Sequence, residues 1–531
     1  KVDAILAEAE RVFDLSKPHA ILPILARAHA ALRALGDDPW VAQKREELAA
    51  VMRSCAGLWM EAVASRPAAV PGDTVSVAVS ILNRSTSKAA LAEASLADGT
   101  GALRLISSRS LAPNAAVGST ATVAIRADTP ITQPYWLREP SDKGTNVVKD
   151  ASMLGLAENP PALVADFQVE IAGERIAFAV PVSFRWTDRV LGERYRPFEV
   201  VSPVTLRAER KVTLFPDARP REVRVLVQST GKPVTGPVRL ELPDGWRATP
   251  AETTIALSSD APAAARFWVR PPSAAGSAVV TASMTINGVR HAQSAETIDY
   301  PHIPVTTLFP PAEAHFVRAD VKRAGASIGY VMGSGDEVPA ALEQLGYRVT
   351  LLSDDAIESD DLARYDAIVV GIRAYNTRPR LVTLQDRLLR YVHSGGTLVV
   401  QYNTTEEALQ NKLGPFPFQI SRDRVTAEDA PARFPVPAHR LLRQPNRIDD
   451  ADFENWVQER GLYFANPYDA KYETVLSLND PGEKAMEGSV LYARYGKGAY
   501  IYTGLSWFRQ LPAGVPGAYR LFANLVSAGK G

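Results

Sequence analysis

Gly333-Ser334-Gly335 falls between an apolar run and a helical run, where a glycine-rich loop would wrap the phosphates of a dinucleotide. The third glycine of such a loop is missing, and Asp336-Glu337 opens the following helix. Two carboxylates at a helix start repel a pyrophosphate and cap the helix instead, so the segment reads as a tight turn. The seven histidines are His19, His29, His291, His302, His315, His393 and His439. None forms a His-x-x-x-His or His-x-His pair, and zinc needs three or four clustered ligands, so no metal site is expected. Gly504-Leu505-Ser506-Trp507-Phe508 begins like a nucleophile elbow but carries Phe508 where the sharp turn needs glycine. Ser506 therefore reads as an ordinary surface or capping serine. Cys55, on a helix face beside Trp59, reads as a small buried hydrophobe.

Ligands of α/β sheets gather beyond the carboxyl ends of the strands. Three such ends are Gly333-Ser334-Gly335, Gly371-Ile372-Arg373-Ala374-Tyr375-Asn376 and Gln401-Tyr402-Asn403-Thr404-Thr405. Arg373 could clamp a carboxylate or hydroxyls, Asn376, Asn403 and Gln401 could hydrogen-bond, and Tyr375 or Tyr402 could stack on a sugar face. Arg373, Tyr375, Asn376 and Asn403 are expected to meet at one end of the sheet. The same groups could instead tie the loops to each other or to the preceding β unit. Trp136, beside Tyr135 in a long loop, is a further candidate platform. Trp186, Tyr195 and Phe198, and then Trp456, Tyr463, Phe464, Tyr468 and Tyr472, form other aromatic groups that suit glycan stacking or inter-domain packing.

These residues need elements to hold them. Residues 1–65 show apolar positions at helical spacing through Ile5, Ala9, Val12, Ile21, Leu25, Val51, Leu58 and Trp59, broken at Ser16-Lys17-Pro18 and Gly36-Asp37-Asp38-Pro39. From Arg66-Pro67 short alternating runs appear, and residues 66–200 read as a β-sandwich interrupted by an irregular loop at 132–161. Residues 201–304 read as a second sandwich of immunoglobulin-like size. Residues 305–531 alternate strands and helices, which implies a parallel sheet in a flavodoxin-like α/β domain. Within it, 380–392 reads as one helix, 414–447 as an irregular Pro- and Arg-rich insertion, and Gly496-Lys497-Gly498 as a hairpin turn.

At 531 residues the chain exceeds one core, and its 59 acidic and 59 basic side chains cancel. A neutral chain has no field to hold nucleic acid or an anionic membrane. No apolar run is long enough to span a bilayer. Lys1-Val2-Asp3 leads straight into a helix, with no signal peptide and no initiator Met, and reads as the start of a fragment or processed form. Cys55, the only cysteine, excludes internal disulfides.

With these residues in view, the chain resembles the region downstream of the catalytic domain in large bacterial PIG-L family deacetylases. The resemblance rests on segments spread over nearly the whole chain. They are Cys55-Ala56-Gly57-Leu58-Trp59-Met60-Glu61-Ala62, Ile131-Thr132-Gln133-Pro134-Tyr135-Trp136-Leu137, Arg185-Trp186-Thr187-Asp188 with Gly192-Glu193-Arg194-Tyr195-Arg196-Pro197, Gly371 to Asn376, and Gly504 to Pro512. That family's catalytic domain holds zinc with a His-Pro-Asp-Asp motif and a further His, and deacetylates N-acetylated sugars. The motif is absent here, so the resemblance implies no cofactor in this chain and zinc only in an upstream domain. The last domain is similar to the class I glutamine amidotransferase-like fold, whose nucleophilic Cys sits on an elbow after a strand. The matching turn, Gln401-Tyr402-Asn403, has no Cys, Ser or Gly, which implies a degenerate version. The expected function is a non-catalytic accessory region of a secreted or periplasmic deacetylase, with a glycan and the upstream catalytic domain as partners. The alternatives are an independent hydrolase using the α/β crevice and a purely structural or protein-interaction module.

Overall fold

The computed structural model describes residues 1–36, 38–98, 101–141, 144–258 and 261–529. Asp37, in the expected break before the third helix, lies outside the described residues. Three helices open the chain: α1 (Val2–Val12), α2 (Leu22–Arg33) and α3 (Pro39–Cys55). Asp38 caps α3 by accepting from the Trp40 N–H at 2.9 Å, and Pro39 fits the first turn because that turn needs no N–H. Gly57, at φ +64°, ends it. Leu58 and Trp59, expected to continue the helix, instead begin a strand, Leu58–Ala64, whose alternate residues are buried.

That strand belongs to one eight-stranded sheet. Its order is 101–110, 89–98, 164–171, 174–188, 58–64, 74–83 and 117–124, with 192–197 paired to 174–188. The longest strand, Glu174–Asp188, pairs with Val164–Ile171 through its first half and with Leu58–Ala64 and Gly192–Pro197 through its second. Both halves and the three helices share one apolar core, which includes Met52, Val77, Phe167 and Phe178.

A second β unit places a four-stranded sheet (204–208, 221–229, 263–270, 247–249) over a six-stranded one. Val225, Trp246, Phe267 and Phe316 fill the space between. The six-stranded sheet includes Glu313–Arg318, which the sequence reading gave to the last unit. It pairs parallel with Val212–Phe215 and antiparallel with Gly276–Ile286. Pro310 and Pro311 stand shortly before it, and the boundary expected near 305 falls too early.

The remaining residues build a seven-stranded sheet. Its first strand is Ser327–Val331, its second Arg348–Leu351, its third Ala367–Val370, its fourth Thr397–Gln401 and its fifth Gly498–Thr503, in the order second, first, third, fourth, fifth, all parallel. Val490–Tyr495 and Glu473–Thr474 extend it antiparallel. The central strands are buried on both faces and accordingly read as unbroken apolar runs. Gly496 turns the final hairpin at φ +59°. The expected helix over 380–392 is two, Arg380–Thr383 and Gln385–His393. The 414–447 insertion is largely irregular yet not peripheral: Phe418, Ile420, Val425, Leu441 and Leu442 are buried. Leu214 and Val317 of the second β unit share an apolar cluster with Tyr330, Val338 and Trp507, and the Leu214 N–H donates to Gln344 Oε1 at 2.7 Å. The molecule is multidomain and mostly β-sheet, with some helix.

Candidate functional site

The carboxyl ends of the parallel strands are where five loops meet. After the first strand, Gly333 packs against the loop after the third so tightly that a Cβ there would lie 2.0 Å from Ile372 O and 2.7 Å from Ala374 N. The Ser334 N–H also donates to Ile372 O at 3.0 Å. The opening between first and third strands, where strand order reverses and a phosphate would sit, is closed by backbone. Asp336 accepts from the Tyr330 hydroxyl at 2.7 and 2.8 Å and from the Val338 N–H at 3.0 Å; it lies one residue ahead of Glu337, which holds the cap position of the next helix, Val338–Gln344, without a side-chain cap bond. Burial raises the Asp336 carboxyl above its usual range, and the bonds from Tyr330 and Val338 draw it partly back.

Arg373 follows the third strand in a left-handed conformation, φ +54°, with its side chain exposed. Its N–H donates to Tyr402 O at 2.8 Å, which binds the third loop to the fourth. Tyr375 is buried; its N–H donates to Asn403 Oδ1 at 3.0 Å and its hydroxyl to Gln385 Oε1. Asn376 bridges the same loops, donating to Thr404 O at 3.3 Å and Glu406 Oε1 at 2.7 Å and accepting from the Thr404 N–H at 2.9 Å. Asn403, fully buried, donates to Gln401 O at 3.1 Å. Gln401 donates to the Tyr330 hydroxyl at 3.0 Å, while its Oε1 is buried with no partner among the described residues. The structure brings these loops together, but Tyr375, Gln401, Tyr402 and Asn403 are buried within the fold, so neither tyrosine offers a free face to a sugar.

Beside them, a corner toward the fifth strand leaves Arg373 exposed and Tyr463, Phe508 and Arg509 half-buried. Tyr402 is 6 % exposed and stacks on Tyr463 with centroids 5.4 Å apart, while Phe508 meets it edge-on at 5.8 Å. The Arg509 guanidinium lies 4.9 Å from the Phe508 ring centroid and donates through Nε to Glu459 Oε1 at 2.7 Å. Burial, then the Glu459 charge, raises the Tyr402 hydroxyl pKa, with Arg373 and Arg509 opposing. Among the described residues, no carboxylate pairs with Arg373. Arg373 and Arg509 thus join the half-buried rings of Tyr463 and Phe508, both packed on the buried Tyr402, in a group suited to stacking and to hydrogen-bonding hydroxyls or carbonyls. Glu459, Phe508 and Arg509 were missed as site residues, although the rule about strand ends applies equally to the fifth strand.

The remaining candidates lie elsewhere or are spent. Trp136 sits in a short turn, Tyr135–Leu137, edge-on to Tyr135 at 5.0 Å. It lines a pocket of about 80 Å³ with Asn159, Pro197 and Val305, apart from the strand ends. Ser506 is fully buried, and its hydroxyl donates to Glu459 Oε1 at 3.0 Å, so it is not an exposed surface serine. Cys55 is buried, which raises its thiol pKa and keeps it protonated. Among the described residues, no group of three or more His, Cys, Asp or Glu is placed to hold a metal.

No protein-family model matches the chain, and no curated protein matches it significantly. Similar solved structures include native Escherichia coli alpha-2-macroglobulin at 10% identity, covering 49% of this chain and 17% of that one, TM-score 0.18. Red sea bream transglutaminase gives 12% identity, 51% and 34% coverage, and a TM-score of 0.22. A protein of unknown function from Porphyromonas gingivalis W83 gives 14%, 49% and 99%, and 0.15. The matched stretches span about a sixth and a third of the first two proteins' length. Likenesses this remote assign neither activity nor family, and the architecture stands as a β-rich, multidomain one.

Proposed function

We propose that this chain is a non-catalytic accessory region of a PIG-L-like deacetylase acting on N-acetylated sugars, and that the corner at the strand ends binds glycan. The observation carrying this reading is the exposed Arg373, bonded through its N–H to Tyr402, together with Arg509 over the Phe508 ring and the ring of Tyr463, beside a serine already committed to Glu459. Rings stack on sugar faces, and guanidiniums donate to hydroxyl and acetamido oxygens. Tyr375, Asn376, Gln401 and Asn403 form the frame, and Trp136 is a separate platform near the first β unit.

The two β units are read as immunoglobulin-like sandwiches and the last as a flavodoxin-like, glutamine amidotransferase-like domain, a reading the order of its parallel strands supports. The described residues do not fit zinc, so the metal is assigned to an upstream domain and no step is routed through it here. The setting proposed is secreted or periplasmic, with no nucleic-acid or membrane partner, in keeping with the balanced charge. A purely structural role is the second reading, favoured by the amides of Asn376 and Asn403 being spent on neighbouring loops. An independent hydrolase is the weakest, because Ser506 is enclosed.

Titration of the chain with N-acetylglucosamine oligomers separates the first two. Weak saturable binding, reduced about tenfold by Phe508→Ala or Arg373→Ala, supports the glycan corner. Binding that ignores both substitutions, or none at all, leaves the corner structural.

A further inference from the structure

Helix α3 presents Ala42, Arg45, Ala49 and Arg53 at steps of three and four residues, hence on one face. Across from it, Gln168 pairs with Ala177 on adjoining strands, and Ala179 and Arg175 follow the same alternation. Alanines on both walls leave a cleft of about 810 Å³ between helix and sheet, within the size range of small-molecule sites.

Four guanidiniums border this cleft: Arg33, Arg45, Arg53 and Arg175. Only Arg33 has a carboxylate partner among the described residues. It lies 3.3 Å from Glu174, whose oxygen is also 3.1 Å from His29 Nδ1. Arg53 donates only to the carbonyls of Leu58 at 3.4 Å and Met60 at 3.3 Å. Arg45 Nε is buried with no acceptor. The cleft's acids, Glu46 and Asp166, are exposed and form no ion pair among the described residues. Some exposed arginines elsewhere are paired, as in Arg27–Glu8, Arg239–Glu252 and Arg290–Glu241, and others, such as Arg373, are not paired among the described residues; what sets this cleft apart is that three unpaired ones border one cavity. Three unpaired guanidiniums around one cleft repel each other, and a buried N–H without an acceptor is costly. Anionic oxygens answer both, since guanidinium forks match carboxylate, sulfate and phosphate geometry.

We infer that this cleft binds a small organic polyanion carrying two or more phosphate, sulfate or carboxylate groups on a compact body. The inference goes beyond the glycan corner and does not depend on it. The test is calorimetric titration of the whole chain at low salt, about 50 mM, with three probes: tripolyphosphate, a sulfated disaccharide and a diglucuronate. The arms tell the anion types apart. At least one probe saturates at one per chain, is weakened about tenfold by Arg45→Gln or Arg175→Gln, and is unaffected by Arg266→Gln in the second β unit. Ala177→Leu, which fills the cleft and leaves every charge in place, abolishes binding too, and it decides the matter should an arginine variant fail to fold. Saturable binding by none of the probes, or binding that survives both Arg45→Gln/Arg53→Gln/Arg175→Gln and Ala177→Leu, overturns the inference.

Discussion

Arg373 is one of several non-glycine residues held in the left-handed region, at φ +54°. A non-glycine side chain in the left-handed region costs about 1–2 kcal/mol, and glycine there would be free of it. Arg373→Gly is therefore expected to leave stability in denaturant unchanged or raise it by up to ~1 kcal/mol, while weakening any ligand at the corner. A clear loss of stability would make the guanidinium a folding contact. Asp336 makes a second prediction. Burial raises its folded-state pKa, so the folded chain holds that proton more tightly than the unfolded one. The stability linked to it is fully present below the unfolded value, 3.8, and is lost as pH rises through the higher folded value. The Asp336→Asn variant escapes that loss. Its stability relative to the parent should climb between about pH 4 and pH 7; a flat or falling difference would show that the hydrogen bonds, not burial, govern the group.

Among the elements, those with a clean period were legible. Val75, Val77 and Val79 alternate as a strand, and the central parallel strands stand out as apolar runs. The boundary at Leu58 was missed because its apolar spacing continues that of α3, although Gly57 marks a helix end. Glu313–Arg318 was missed because prolines precede it and its partners lie far off in sequence. The site was legible in part. Asp336 accepts from the first N–H of the helix without occupying its cap position, and the third and fourth loops do meet, but burial of Tyr375 and Asn403 depends on packing that no local pattern encodes. The insertion at 414–447 shows this most plainly, since its prolines and arginines indicated irregular structure and nothing of its burial. Leu441 is fully buried, and its carbonyl accepts from Asn524 at 2.8 Å. Leu441→Ala should cost ~2–4 kcal/mol in denaturant unfolding, whereas a peripheral loop would register under ~0.5.

For the whole molecule, the joints between units differ in kind. The second β unit meets the last through apolar packing of Leu214 and Val317. Its links to the first are largely polar: Lys232 with Asp73, Thr307 with Glu199, and the Phe309 N–H donating to Gln133 Oε1 at 2.6 Å. Polar interfaces part more readily than apolar ones. Limited proteolysis should therefore release a fragment beginning near residue 200 before any beginning at 312–326. Early accumulation of a fragment starting at 319–326 would show the apolar joint to be weak.

The central claim, that this chain recognises glycan without acting on it, is tested most directly by following acetate release and binding in one titration. The whole chain is titrated with an N-acetylated oligosaccharide, with and without added zinc. Saturable binding with acetate no higher than in buffer is the result expected, because amide hydrolysis needs an activated water or an exposed nucleophile and Ser506 is enclosed. Acetate released well above buffer would make the chain an enzyme, and absence of binding would remove the glycan from the account.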